Sequence, residues 1–328
     1  VPVSAVAGAA LFPDHAGGRD ELLRAADAAL HHAGGEHTDH CMFDASLRLK
    51  EQRFTDLRNK LRDALDNAYL MLYYQPQIDL QQGTLSGCEA LARWNHPDDG
   101  WIRPDHFIPV AEKSELIDVL TYWSINVALR EWSELRDSGP SGSIAINLSA
   151  KLLHSREVVE LVNRAINIWG AEPASLVLEV TESAMMSDPE TAMQTLRALH
   201  DMGITLSIDD FGTGYSSLAY LKKLPVAELK IDKSFVQHMA ENQQDRKIVQ
   251  SIIDLAHNLE MSVVAEGIEN QQALDMLIGM GCDFGQGYYL GRPMPMADMP
   301  PWLEGGNWRR SAPIDTQRDR KKQPLKRR

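Results

Sequence analysis

An α/β fold, a modified TIM-type (β/α)8 barrel with one antiparallel strand, is what this 328-residue sequence predicts. Short apolar, β-branched runs alternate with amphipathic helical stretches, which implies a mainly parallel sheet covered by helices. The first two runs are too close together to be parallel. The runs number eight over about 250 residues, the size of a closed barrel. An open doubly wound sheet is the alternative.

In chain order, LMLYYQPQIDL (70–80) and TLSGCEALARW (84–94) meet at the polar turn Gln82-Gly83 and read as a hairpin. SIAINLS (143–149), SLVLEVTES (175–183), ITLSIDDFG (204–212), VAELKIDKS (226–234), MSVVAEGIE (261–269) and CDFGQGYYL (282–290) complete the set. Helical periodicity fills 156–170 and 189–203, the latter opening on Asp188-Pro189 and stopping at Gly203.

Composition narrows the function. Residues 309–328 hold nine Lys/Arg against two Asp/Glu, a tail of +7, so the first 308 residues carry −20 of the net −13. An acidic body argues against nucleic acid as the main partner. Residues 306–328 are expected to be a basic, solvated tail. No apolar run reaches the roughly 18 residues of a membrane span, which predicts a soluble chain. Cys41, Cys88 and Cys282 form neither a CxxC pair nor an even set, and are expected as reduced thiols in a cytoplasmic protein.

The strand-like runs carry Glu89, Asn147, Glu179, Asp209, Asp210, Lys230, Glu266 and Gln286 at or near their ends. In parallel α/β folds those ends gather on one face, so five carboxylates would share a small site. Like charges at that spacing need counter-charge. Oxygen donors without Cys or His suit two neighbouring Mg2+ or Mn2+ ions and phosphoryl chemistry. Asp209 and Asp210 would point to opposite faces of a straight strand, and the Gly212 and Gly214 turn is expected to free them to serve one site. Phe211-Gly212 after Asp210 spells a kinase DFG, but no kinase loop accompanies it. Gly212-Thr213-Gly214 lacks the third glycine of a dinucleotide fingerprint, Ser217 standing there.

YYQPQIDL, CEALARW with its Glu89-Ala90-Leu91, AINLSA, LEVTES, IDDFGTGYSSL, LKIDKSFV, VVAEGIE and GQGYYLGRP together resemble the EAL domain, the cyclic di-GMP phosphodiesterase family, from about residue 55 to 305. The resemblance implies hydrolysis of cyclic di-GMP to linear pGpG with two Mg2+ or Mn2+ ions. It implies Glu89, Asn147, Glu179 and Asp209 around one metal, and Asp209, Asp210 and Glu266 around the second. Lys230 would stand beside the attacking water, with a pKa lowered by the metals, and Gln286 would complete the shell. Gln75, Leu91, Arg93, Asp232, Glu269 and Tyr288 are implied substrate contacts, Arg93 for phosphate and Asp232 for a guanine edge. Glu182 is implied as the anchor of the loop from Thr213 to Ser217, near a homodimer contact. A silent cyclic di-GMP receptor and a barrel acting on another phosphate ester are the other readings.

Residues 1–44 resemble the C-terminal part of a GGDEF domain, notably in LLRAADAAL and CMFD, without the GGDEF loop. They read as the end of a truncated upstream domain with no cyclase activity of its own, and residues 45–67 as a linker helix. Sensory domains and any membrane anchor would lie further upstream.

Overall fold

The computed structural model describes residues 5–35, 38–136, 142–186, 188–213 and 218–306. They fall into two compact units, Val1–Ala68 with Ile102–Leu116, and Tyr69–Trp101 with Ile117–Arg328. The basic tail lies outside the described residues except for Gly306.

In the first unit, strands β1 (Ala7–Ala9) and β2 (His40–Met42) pair in parallel. The helix Arg19–Gly35 connects them, and Ala25, Ala29, Phe43 and Leu47 form a small core. The predicted linker helix runs from Ala45 to Asp66, capped by the Asp44 carboxylate, which accepts from Ser46 N. It packs against the helix Pro104–Glu112 within the same unit.

The second unit contains the barrel. Its strands are β3 (Leu70–Asp79), β4 (Thr84–His96), β6 (Ser143–Asn147), β7 (Leu176–Thr181), β8 (Thr205–Phe211), β9 (Glu228–Ile231), β10 (Ser262–Ala265) and β11 (Phe284–Gly285). The order β3-β11-β10-β9-β8-β7-β6-β4 closes through a β3–β4 pairing, while β5 (Gly100–Ile102) hangs on β4 outside the ring. Strand β3 is antiparallel to both neighbours, β11 and β4, and every other pairing in the ring is parallel. The hairpin read from 70–94 is thus the reversed strand, and the closed ring excludes the open sheet.

Alternation along each strand positions the chemistry. Ile144 and Ile146, Leu176, Leu178 and Val180, Leu206 and Ile208, and Leu229 and Ile231 are buried in the large core that also takes in the covering helices. The intervening Asn147, Glu179, Ser207, Asp209, Glu228 and Lys230 therefore face the barrel interior. The helices that cover the ring end where expected. Pro189–Asp201 starts on Asp188, whose carboxylate accepts from Thr191 N, and Glu157–Trp169 stops at Gly170 in the left-handed region.

The last strand departs from the reading of 282–290. Only Phe284 and Gly285 join the ladder; the chain then bends sharply, with Ile268 N donating to Gln286 O at 3.1 Å and Tyr289 N to Ile268 O at 3.0 Å. At Gly287 a Cβ would lie 2.2 Å from both N and O of Ile268, so the two segments touch backbone to backbone. Gly287→Ala is expected to destabilise the barrel by about 1–3 kcal/mol, read as a lower urea midpoint.

Candidate active site

Barrel closure brings the predicted strand-end residues together around Lys230. This side chain is fully buried, and its Nζ lies 2.7 Å from Glu266 Oε1, 2.9 Å from Glu179 Oε1, 3.3 Å from Asp209 Oδ1 and 3.5 Å from Glu89 Oε2. Each of the four carboxylates comes from a different strand or strand end. Glu89 lies mid-strand in β4, but at the end of the section that runs beside β6, where Gly87 to Ala90 pair with Ser143 to Ile146.

Amides complete the floor. Asn147 Nδ2 donates to Glu89 Oε1 at 2.9 Å, and Gln286 Nε2 donates to Glu89 Oε2 at 2.5 Å and to Gln75 Oε1 at 3.1 Å. Gln77 Nε2 in turn donates to Gln286 Oε1 at 3.1 Å, and Gln75 Nε2 to Gly291 O at 3.1 Å. Gln77 was missed in the sequence, although its spacing of two from Gln75 puts it on the same strand face. Glu228 was missed too: two residues before Lys230, it is buried in the barrel interior one layer down.

The pairing of Asp209 with Asp210 has a cause other than the one expected. Asp210 itself adopts a left-handed backbone, φ 54°, and the β8–β9 register shifts between Ile208 and Phe211. The reversal of hand at Asp210, a residue type that tolerates it, places both acids on one side. Gly212 contributes with φ 100°, whereas Gly214 lies outside the described residues. Asp210 N donates to Asp209 Oδ1 at 2.9 Å.

The electrostatics follow from burial and the crowding of like charges. Burial opposes charge on Lys230, but Glu179, Glu266, Glu89 and Asp209 outweigh it and raise its pKa well above the ordinary value. The lowering expected from the sequence is the effect that neighbouring cations would have; the carboxylates act in the opposite sense. Burial and Glu89 push Glu179 well up. Burial raises Glu266 to about 7, and burial with Asp209 and Asp232 raises Asp210 to about 6. Glu89 is held below its usual range despite burial by Lys230, Gln286 and Asn147.

These residues fit divalent cations. Asp209, Asp210 and Glu266 each bring a carboxylate oxygen within 4.8 Å of the others. Glu179 is 1 % exposed, and neither of its oxygens has a hydrogen-bond donor in good geometry among the described residues. All the donors are hard oxygens, and one ammonium stands against five acids, so the cluster is short of positive charge.

A cleft of about 280 Å3 opens onto this floor. Gln75, Leu91, Glu269 and Tyr288 line it as expected, with Glu89, Asp209, Glu266 and Gln286 at its base. Arg93 and Asp232 do not line it. The Arg93 guanidinium lies 5.8 Å from the Tyr73 ring centroid, and Asp232 Oδ1 accepts from Ser234 N at 3.0 Å, capping the helix Lys233–His238. Lys233 and Gln237 line the cleft instead, and nothing in the sequence singled them out. Glu182 is buried, with Oε1 unpartnered among the described residues; most of the loop it was expected to hold, 214–217, lies outside them.

The raised carboxyls set a pH dependence. Glu266 and Asp210 bind protons more tightly folded than unfolded, so their stabilisation is complete below the ordinary carboxylate range and is lost as pH rises through about 6 and 7. Chelator-treated protein is expected to show a lower urea midpoint at about pH 7.5 than at about pH 5, and added Mg2+ or Mn2+ is expected to raise the midpoint more at the higher pH.

Comparison with known proteins agrees with this architecture. Residues 58–293 match the EAL domain family. The bifunctional diguanylate cyclase/cyclic di-GMP phosphodiesterase MucR of Pseudomonas aeruginosa is 42% identical over 297 residues, 90% of this chain and 43% of its own length. The cyclic di-GMP phosphodiesterase NbdA of the same organism is 37% identical over 314 residues, 95% of this chain and 40% of its own length. The chain therefore spans less than half the length of these curated relatives. Among solved structures, the PaMucR phosphodiesterase in complex with c-di-GMP superposes with a TM-score of 0.72 at 42% identity, covering 74% of this chain and 99% of that one. With the match covering most of the chain, the barrel and its acidic floor belong to the EAL domain family.

Proposed function

We propose that this chain hydrolyses cyclic di-GMP to linear pGpG. The observation that carries this reading is the Lys230 cluster: four carboxylates around one ammonium, with Asp210 beside them, at the strand ends of a closed barrel and under an open cleft. The names of MucR and NbdA, and the c-di-GMP bound to PaMucR, support the substrate.

In this mechanism Glu89, Asn147, Glu179 and Asp209 would hold one divalent cation, and Asp209, Asp210 and Glu266 a second. Such ions supply a hydroxide at neutral pH and neutralise phosphoryl oxygens. The oxygen of water adds to phosphorus as the bond from phosphorus to the ribose 3′-oxygen breaks, and that oxygen takes up a proton. Lys230, tied to four strands, keeps an ammonium beside the reacting phosphate, where it stabilises developing charge. Gln286, fixed by Gln77 and Gln75, holds Glu89 in place. Leu91 gives an apolar wall, and the half-exposed Tyr288 ring, backed by Arg292 at 4.5 Å, gives a surface on which a purine can stack.

The finer assignments belong to the same proposal. Mg2+ or Mn2+ is favoured by the oxygen donors. Arg93 and Asp232 would swing toward bound substrate, and Glu182, buried with one oxygen unpartnered among the described residues, would anchor the 213–217 loop beside a homodimer contact. The first 44 residues would be the end of a GGDEF domain, with sensory segments further upstream; the double activity in the name of MucR supports the pairing of the two domain types. Work in the cytoplasm belongs to the same proposal; no described helix is long and apolar enough to cross a membrane.

Incubation with cyclic di-GMP and Mg2+ or Mn2+ is expected to yield pGpG, and chelation to stop it. Glu89→Ala is expected to lower turnover by about a hundredfold or more, measured by chromatography of the nucleotides. Binding without cleavage by the unmodified chain would make it a receptor instead.

A further inference from the structure

We infer that Gln237 is a positioning residue for guanine recognition: its amide holds the Glu269 carboxylate in the plane that accepts from the N1–H and 2-amino group of a bound guanine. The inference deepens the reading of the cleft as a cyclic di-GMP site and rests on it.

Gln237 Nε2 donates to Glu269 Oε1 at 2.9 Å, and both side chains line the cleft. Glu269 sits on a segment with little freedom. Its neighbour Ile268 is fully buried and tied on both sides, through N to Gln286 O and through O to Tyr289 N. Gly267, φ 71°, lies so close to the helix Lys233–His238 that a Cβ there would come within 2.6 Å of Lys233 Cβ and 3.5 Å of Gln237 Cγ. The backbone on either side is thus pinned, and the rotatable bonds of the glutamate are the freedom that remains. The Gln237 bond removes it.

The chemistry then selects the base. A carboxylate only accepts hydrogen bonds, and a glutamine amide that spends a donor on one oxygen leaves lone pairs on both for a ligand. Two adjacent donors, the N1–H and exocyclic amine of guanine, match a carboxylate; adenine presents an acceptor at N1 and would be rejected. Asp232, the acid implied for a guanine edge, caps the helix Lys233–His238 and does not line the cleft, so of these two acids Glu269 is the one that the cleft itself presents. Preorganising an acceptor acts on binding, because the ordering cost is met before the ligand arrives.

Steady-state kinetics of the full chain test this, with cyclic di-GMP and with the inosine analogue that lacks the 2-amino group. Gln237→Met keeps the length and removes the donor. It is expected to raise KM for cyclic di-GMP by about tenfold, leave kcat within about twofold and reduce the preference for guanine over hypoxanthine. Gln237→Lys, which restores a donor, is expected to recover most of the loss. A KM within about twofold of the unmodified chain, or an equal rise for both nucleotides, would overturn the role of Gln237 while leaving the phosphodiesterase reading intact. No hydrolysis by the unmodified chain would remove that reading and this inference together.

Discussion

A buried ammonium among four carboxylates is the interaction on which the rest of the barrel depends. Lys230 has no exposed surface, and an isolated ion in such a place would cost several kcal/mol. Its neighbours come from β4, β7, β8 and the end of β10, so the cluster ties together segments far apart in sequence. Ring closure and electrostatics are one problem: the strands must close for the acids to meet Lys230, and Lys230 must be there for the acids to tolerate closure. With five acids to one ammonium, the balance is incomplete, which makes the floor receptive to divalent cations.

Much of this was legible in the sequence, for identifiable reasons. The apolar runs, the short polar turn around Gln82-Gly83 and the polar residues at successive strand ends are local patterns, and they kept their meaning in three dimensions except in the last run, where only Phe284 and Gly285 stayed in the ladder. Period two along β8 and β9 also explains why Ser207 and Asp209, and Glu228 and Lys230, share the interior. The same period would have exposed Gln77, had it been applied to YYQPQ as strictly as to the acidic residues.

What was not legible depended on backbone geometry or on contacts remote in sequence. The left-handed turn at Asp210 reverses a side chain that period two sends the other way, and no composition signal marks it. Gln237 reaches Glu269 across 32 residues from a helix of only six. Arg93 lies over the Tyr73 ring and Asp232 accepts from Ser234, contacts that the sequence does not mark. The charge state of Lys230 also resisted a reading from sequence, since its sign of shift depends on whether anions or cations surround it.

Strand β11 gives the barrel a seam. Two residues form the ladder on each side of it, Phe284 and Gly285 against Val264 and Ala265, and against Asp79 and Ile78. The neighbouring staves are joined over four or more residues in β3–β4, β6–β7, β7–β8 and β9–β10. A cylinder breathes where its rungs are fewest. Gln286 begins where those rungs end, so parting the seam would withdraw the amide from Glu89 at the same moment that it loosened the loop carrying Glu269. Integrity of the cylinder and competence of its floor are accordingly one cooperative property, lost or kept together.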